Sequence, residues 1–153
     1  MHGMGWGAIK ITAADKWFSF FVRFRANWTC EIPGCRVECK RRKYNNPDLP
    51  MASIQCGHFF TRASKSTRLH KDGAMAICFN HHRYYTEHQT EWENLLIEKL
   101  GEEKYWALKR LSRSPTTIWK IQEKALRDEY KEKVFQMAKE SGRLWVIQGT
   151  LSD

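Results

Sequence analysis

Aromatic residues recur at Trp17, Phe20, Phe21 and Phe24, an i, i+3, i+4, i+7 spacing that makes "DKWFSFFVRFR" an amphipathic helix with a wide aromatic face. Asp15 falls in its first turn, where a carboxylate meets the positive end of the helix dipole. The pattern then stops. "NWTCEIPGCRVECKRRKYNNPDLP" is crowded with Asn, Pro and Gly, which exclude a long regular element. "MASIQCGHFF" has the composition of a strand, "TRASKSTRLHKDG" reads as a polar, basic loop, and "AMAICFNHHRYY" opens the next element.

Helical periodicity returns after that. "TEWENLLIEKLG" carries a capping box from Thr90 to Glu93, a stripe of Trp92, Leu95, Leu96 and Leu100, and Gly101 as a stop. "EEKYWALKRLS" predicts a second, short helix. Ser114 as N-cap and Pro115 as first helical residue predict a third. Its stripe runs through Ile118, Ile121, Ala125, Leu126, Tyr130, Val134 and Met137 and stops at Gly142. These helices suit a scaffold or a partner surface, and a homodimer through their apolar stripes is one arrangement they allow. Strands followed by helices predict an α+β fold.

A chain of 153 residues has room for one domain, and 42% hydrophobic with 13% aromatic residues marks a folded one. No apolar run is long enough to cross a bilayer. The opening "MHGMGWGAIKITAADK" lacks a charged segment followed by an apolar one, so it does not read as a signal peptide. The expected compartment is cytosolic, where five cysteines, an odd number, do not form a disulfide framework. Charge adds a partner class. The net +9 is uneven: residues 1–72 carry 13 Lys and Arg against 5 Asp and Glu, and residues 73–153 carry 13 against 12. A basic half of this kind suits an anionic polymer such as nucleic acid.

Cysteines in close pairs point to metal. Cys30 and Cys35 form C-x4-C around a Pro33–Gly34 turn, and Cys78 and His81 form C-x2-H. Two short-spaced pairs, each bridging one side of a tetrahedron, meet the requirement of a closed structural Zn²⁺ site. Cys39 could replace Cys35, and Cys56 could enter as well. Outside that set the stretch still holds His58, His70, His82 and His88. His82 directly follows His81, and neighbours at a helix start point in different directions, so one can serve the zinc and the other a separate site.

A cysteine pair, a strand ending in a histidine, and a C-x2-H pair followed at once by histidine resemble the zinc-bearing branch of the HNH (ββα-metal) nucleases. More narrowly, "DKWFSFFVRFR", "QCGHFFTR", "STRLHKDGAMAIC" and the first cysteine pair are similar to the phage NinG (Rap) recombination proteins. The similarity covers residues 13–90. It implies a small zinc-stabilised ββα-metal core at 13–90; chain length and periodicity add the rest of a single domain over 1–153, with an N-terminal helix and about three C-terminal helices in an extension at 91–142. It also implies a divalent-metal-dependent DNA endonuclease that cuts branched or recombination-intermediate DNA in a phage context, hence in the host bacterial cytoplasm.

Carried over by position, the resemblance makes His58 the general base and His82 a ligand of the catalytic Mg²⁺ or Mn²⁺, with His88 as a second ligand. Arg62 would contact a phosphate beside the cut, with Arg68 a weaker candidate for the same contact. Lys65 and Arg68 join the run Lys40, Arg41, Arg42 and Lys43 as candidate DNA contacts; that run is otherwise a solvated loop. Two positions depart from the family pattern. Gly57 stands where many HNH enzymes carry an acidic metal ligand. Gly73, with Asp72 beside it, stands where an Asn would orient the base, so Asp72 or a backbone carbonyl must do so. The competing expectation is a zinc-stabilised DNA-binding module without catalysis, in which Gly73 marks the lost activity.

Overall fold

Thr12 and Asp15 start the first helix by capping each other. The Asp15 N–H donates to the Thr12 hydroxyl at 3.3 Å and the Asp15 carboxylate accepts the Thr12 N–H at 2.8 Å. This helix, α1 (Ala13–Arg25), opens a computed structural model that describes residues 9–35, 54–116 and 118–147. Cys39, Lys40, Arg41, Arg42 and Lys43 lie outside the described residues. The face that α1 buries is turned slightly from the one its aromatic spacing predicts. Trp17, Phe18, Val22 and Phe24 are buried, while Phe20 and Phe21 are only half-buried. Phe18 is drawn inward because it meets the sheet and the last helix, with its ring 5.7 Å from His58 and 5.1 Å from Tyr130.

Two strands, β1 (Ile54–His58) and β2 (Ala74–Cys78), pair antiparallel, from Ile54 opposite Cys78 to His58 opposite Ala74. Between them lies one helical turn, α2 (Lys65–Arg68). After β2 the chain runs directly into α3 (Phe79–Glu87), then α4 (Gln89–Leu100), α5 (Glu102–Ser112), α6 (Trp119–Glu140) and a 3₁₀ turn at Leu144–Val146. The architecture is α+β, six helices around a two-stranded sheet. Every residue of β2 is buried, and Trp92, Leu96, Tyr105, Tyr130, Val134 and Ala138 from the later helices join it in the core. Among the described residues no helix is long and apolar enough to cross a membrane.

Two helix starts differ from the sequence expectation. The Thr90–Glu93 capping box does not form, because α4 begins two residues earlier than that box would place it, at Gln89 with His88 in the cap position. His88 is a single-residue joint between α3 and α4, and the Gln89 amide reaches back to the carbonyls of Tyr85 and Thr86 at 3.0 Å each. Ser114 does not cap α6, which begins at Trp119. It closes the end of α5 instead: its N–H reaches Leu111 at 3.0 Å, and its carbonyl accepts the Ser66 hydroxyl at 2.6 Å. Ile118 and Ile121 are consequently 52% and 72% exposed, and the stripe that α6 buries is Tyr130, Val134 and Ala138.

The β1–β2 connection is fixed from three sides. Arg68, 5% exposed, forms a two-pronged ion pair with Asp15, 3% exposed, and donates to the Lys10 carbonyl at 2.7 Å. Tyr130 donates to the Leu69 carbonyl at 2.6 Å, and Ser64 to Ser112 at 2.6 Å. Arg68 is therefore spent internally and is withdrawn as a DNA contact. Burial pushes the Asp15 carboxyl up, but the hydrogen bonds from Arg68 and Thr12 and the Arg68 charge outweigh it and hold the group below its ordinary value. Breaking a buried ion pair from one side leaves an uncompensated charge. Asp15→Ala should therefore cost about 3–5 kcal/mol in a denaturant titration. Because the folded-state pKa is depressed, the stabilisation from Asp15 should be present above the ordinary aspartate value and be lost as pH falls below it.

Candidate functional site

The knuckle that follows α1 docks on the free edge of β2. Glu31 donates its backbone N–H to the Ala76 carbonyl at 2.9 Å, and its carboxylate accepts the Ala76 N–H at 2.7 Å. That edge pairing brings Cys30 and Cys35 to the end of β2, where Cys78 closes the strand and His81 sits in the first turn of α3. Gly34, at φ +78°, makes the turn between the first two. The ligand atoms of Cys30, Cys35, Cys78 and His81 all lie within 4.8 Å of one another. Among the described residues this is the one gathering of three or more such donors.

The distances suit a tetrahedral ion. Cys35 and Cys78 sulfurs are 3.8 Å apart, and His81 Nδ1 is 3.3 Å from Cys78 Sγ and 3.8 Å from Cys30 Sγ. Two sulfurs each about 2.3 Å from a Zn²⁺ at tetrahedral angles stand about 3.8 Å apart. The Cys78 N–H donates to Cys30 Sγ at 3.3 Å, which ties the first cysteine to the strand end. The three cysteines are buried and the histidine is half-buried, as a closed structural site requires. Cys56 is not part of it. Burial pushes its thiol up to about 12, against the opposing charges of Arg23, Arg62 and Arg25, so it stays protonated and packs as a small apolar side chain.

His82, one residue on, turns away from this cluster. Its Nδ1 lies 2.6 Å from the side-chain oxygen of Gln55 on β1. A carbonyl oxygen can only accept, so Nδ1 carries the proton and Nε2 keeps its lone pair. His58, at the end of β1, is tied by the opposite nitrogen: its Nε2 donates to the Arg68 carbonyl at 3.1 Å, which leaves Nδ1 as the basic atom. The two imidazoles line one cleft of about 200 Å³ together with Thr61, Ile77, Tyr85 and Gln89. Burial, then the Arg62 charge, lower the His58 pKa to about 4, with the Arg68 carbonyl working the other way. Burial and Arg62 also lower that of His82. Both rings are neutral at pH 7.

The remaining sequence candidates fall as follows. Arg62 stands close enough to act on both histidines, and its Nε is buried with no hydrogen-bond partner among the described residues. His88 is not brought to the cleft. It stacks on Tyr84, ring centroids 3.9 Å apart, and donates its Nδ1–H to the Tyr84 carbonyl at 2.7 Å, so it is held away from His82 rather than beside it. Its position six residues after His82 puts it on another side of the helix. Lys65 is exposed beside a separate groove formed with α6. Gly73 has no room for an Asn: a Cβ there would come within 2.9 Å of the Thr67 carbonyl. The Arg68 carbonyl orients His58 in its place, the backbone alternative that the sequence left open.

Gln55 and Gln89 were missed by the sequence reading. The signal available for Gln55 was strand alternation, which puts it on the face of Gly57, toward α3. Among the described residues, no Asp or Glu lines the cleft. This donor set does not suit Mg²⁺, which takes oxygen ligands, and suits better an ion that accepts imidazole nitrogen. At the cysteine cluster, by contrast, the donors fit zinc closely. The purified chain should carry about one Zn²⁺ that stoichiometric chelator removes with loss of structure, as followed by circular dichroism. Cys78→Ser should lose both the metal and the fold, because Cys78 joins β2, α3 and the ion at one point. Comparison with protein-family models, curated proteins and solved structures finds no match for this chain.

Proposed function

We propose that this chain is a metal-dependent DNA endonuclease of the HNH (ββα-metal) type, acting in a phage context on branched or recombination-intermediate DNA. The observation that carries the reading is the pair His58 and His82, which line one cleft with opposite ring nitrogens tied back. A strand–strand–helix unit, β1–β2–α3, supplies both, beside a Cys₃His cluster that fits zinc. The uneven positive charge and the unpartnered Arg62 Nε favour a phosphate-bearing substrate. The branched substrate and the phage setting come from the family resemblance.

In this reading His58 Nδ1 takes the proton of the attacking water, while the Arg68 carbonyl holds the ring in the tautomer that leaves Nδ1 free. Arg62, half-buried beside both histidines, would offer the outer N–H groups of its guanidinium to a phosphate oxygen next to the scissile bond. His82 Nε2 would hold a divalent ion, which when bound supplies charge stabilisation at the scissile phosphate. A second reading, a zinc-stabilised DNA-binding module without catalysis, is favoured by the lack of a carboxylate among the described residues that line the cleft.

Labelled four-way junction, linear duplex and single strand, each with Mg²⁺, Mn²⁺ or Ni²⁺, separate the two. The nuclease reading expects metal-dependent cutting that His58→Ala lowers by about 10²-fold or more with circular dichroism unchanged. Salt-sensitive binding without cutting by zinc-loaded wild type under all three ions would select the binding module. The low His58 pKa adds a pH test. Protonation disarms the base only as pH falls toward about 4, so kcat/KM should hold from pH 7 to below the ordinary histidine value before declining. An acidic limb near pH 6.5, the ordinary histidine value, would argue against His58 as the free-enzyme base.

A further inference from the structure

We infer that Gln55 is a positioning residue for a divalent ion on His82, and that the ion this cleft takes is a nitrogen-accepting one such as Co²⁺ or Ni²⁺ rather than Mg²⁺. The inference rests on the reading of His82 as a metal ligand. A histidine can ligate through either nitrogen, and the hydrogen bond made by the other decides which. Gln55 makes that bond at 2.6 Å through an atom that can only accept, so it selects Nε2. The oxygen is carried on β1, whose backbone is locked opposite β2 with Gln55 facing Ile77, so the acceptor is held on a rigid strand.

The preference for nitrogen follows from what the cleft lacks. Gly57 shares the face of Gln55 and stands where a carboxylate ligand would otherwise project. A Cβ there would lie 2.7 Å from Ile77 Cγ2, so the position is closed to Asp unless Ile77 moves. Gln89, which lines the same cleft, spends its amide N–H groups on the Tyr85 and Thr86 carbonyls and has a neutral oxygen left to offer. Imidazole nitrogen and amide oxygen, both uncharged, hold a hard ion weakly because it is bound through carboxylates and phosphate. They suit an ion that follows the imidazole preference.

The test is a titration of the full-length, zinc-loaded chain with Co²⁺, following visible d–d absorption that lacks a thiolate charge-transfer band, with excess Mg²⁺ as competitor. Gln55→Leu should weaken Co²⁺ binding about 10–100-fold, the usual cost of losing such an outer partner. Gln55→Glu, which keeps the acceptor and makes the imidazole more basic, should bind at least as tightly as wild type, and excess Mg²⁺ should not displace Co²⁺. Zinc content and circular dichroism confirm that each variant is folded. If Gln55→Leu binds Co²⁺ as wild type does while His82→Ala does not, the positioning role is overturned and the ligand reading of His82 stands. If His82→Ala binds as wild type, the ligand reading itself fails. Displacement by Mg²⁺ at comparable concentration would overturn the ion preference.

Discussion

The buried ion pair between Arg68 and Asp15 is the constraint from which the cleft geometry follows. Asp15 caps α1 through Thr12 and, with the same carboxylate, receives Arg68 from the connection between the strands. Two charges removed from water are expensive unless their geometry is good and their remaining hydrogen-bonding groups are satisfied. Here Arg68 also reaches the Lys10 carbonyl, and Asp15 also accepts from Thr12. The consequence reaches the backbone of Arg68, whose carbonyl meets His58 Nε2. A helix cap, a loop anchor and the tautomer of His58 are thus joined through two side chains.

The Cys₃His cluster supplies the second constraint, on the other side of β2. Cys30 and Cys35 come from a segment that the Glu31 backbone and carboxylate attach to Ala76, while Cys78 and His81 belong to the strand end and the helix start. An ion there would fix the direction in which α3 leaves the sheet. His82 then inherits its position from its neighbour. The two imidazoles diverge, one toward the cysteine sulfurs and one toward Gln55, so one step along the helix separates the cluster from the cleft.

The metal cluster was legible in the sequence because short-range spacing brings each pair of ligands to one turn, whatever the rest of the chain does. His58 and His82 were singled out through family resemblance, and both line one cleft. What could not be read was the use of side chains whose partners are distant in sequence. Arg68 has the composition of a phosphate contact, yet it lies beside an aspartate 53 positions away and is buried by it. His88 has the chemistry of a ligand, but Tyr84, one helical turn before it, takes its ring and its proton. The apolar stripe of α6 was read correctly at Tyr130 and Val134, which meet the core, but was started too early, since Ile118 and Ile121 meet solvent.

The chain's own spacing determined which residues could share a metal, where the aromatic helix begins, and that one half of the protein is strongly basic. Those properties are local or additive, so no fold is needed to read them. Tertiary structure alone decided which nitrogen of His58 and of His82 is tied back, that no described carboxylate lines the cleft, and that Gly57 and Gly73 stand where a side chain would strike Ile77 or the Thr67 carbonyl. Each of these depends on a carbonyl, an amide or a methyl group from a different element, brought within contact distance only when the strands pair and the helices close over them.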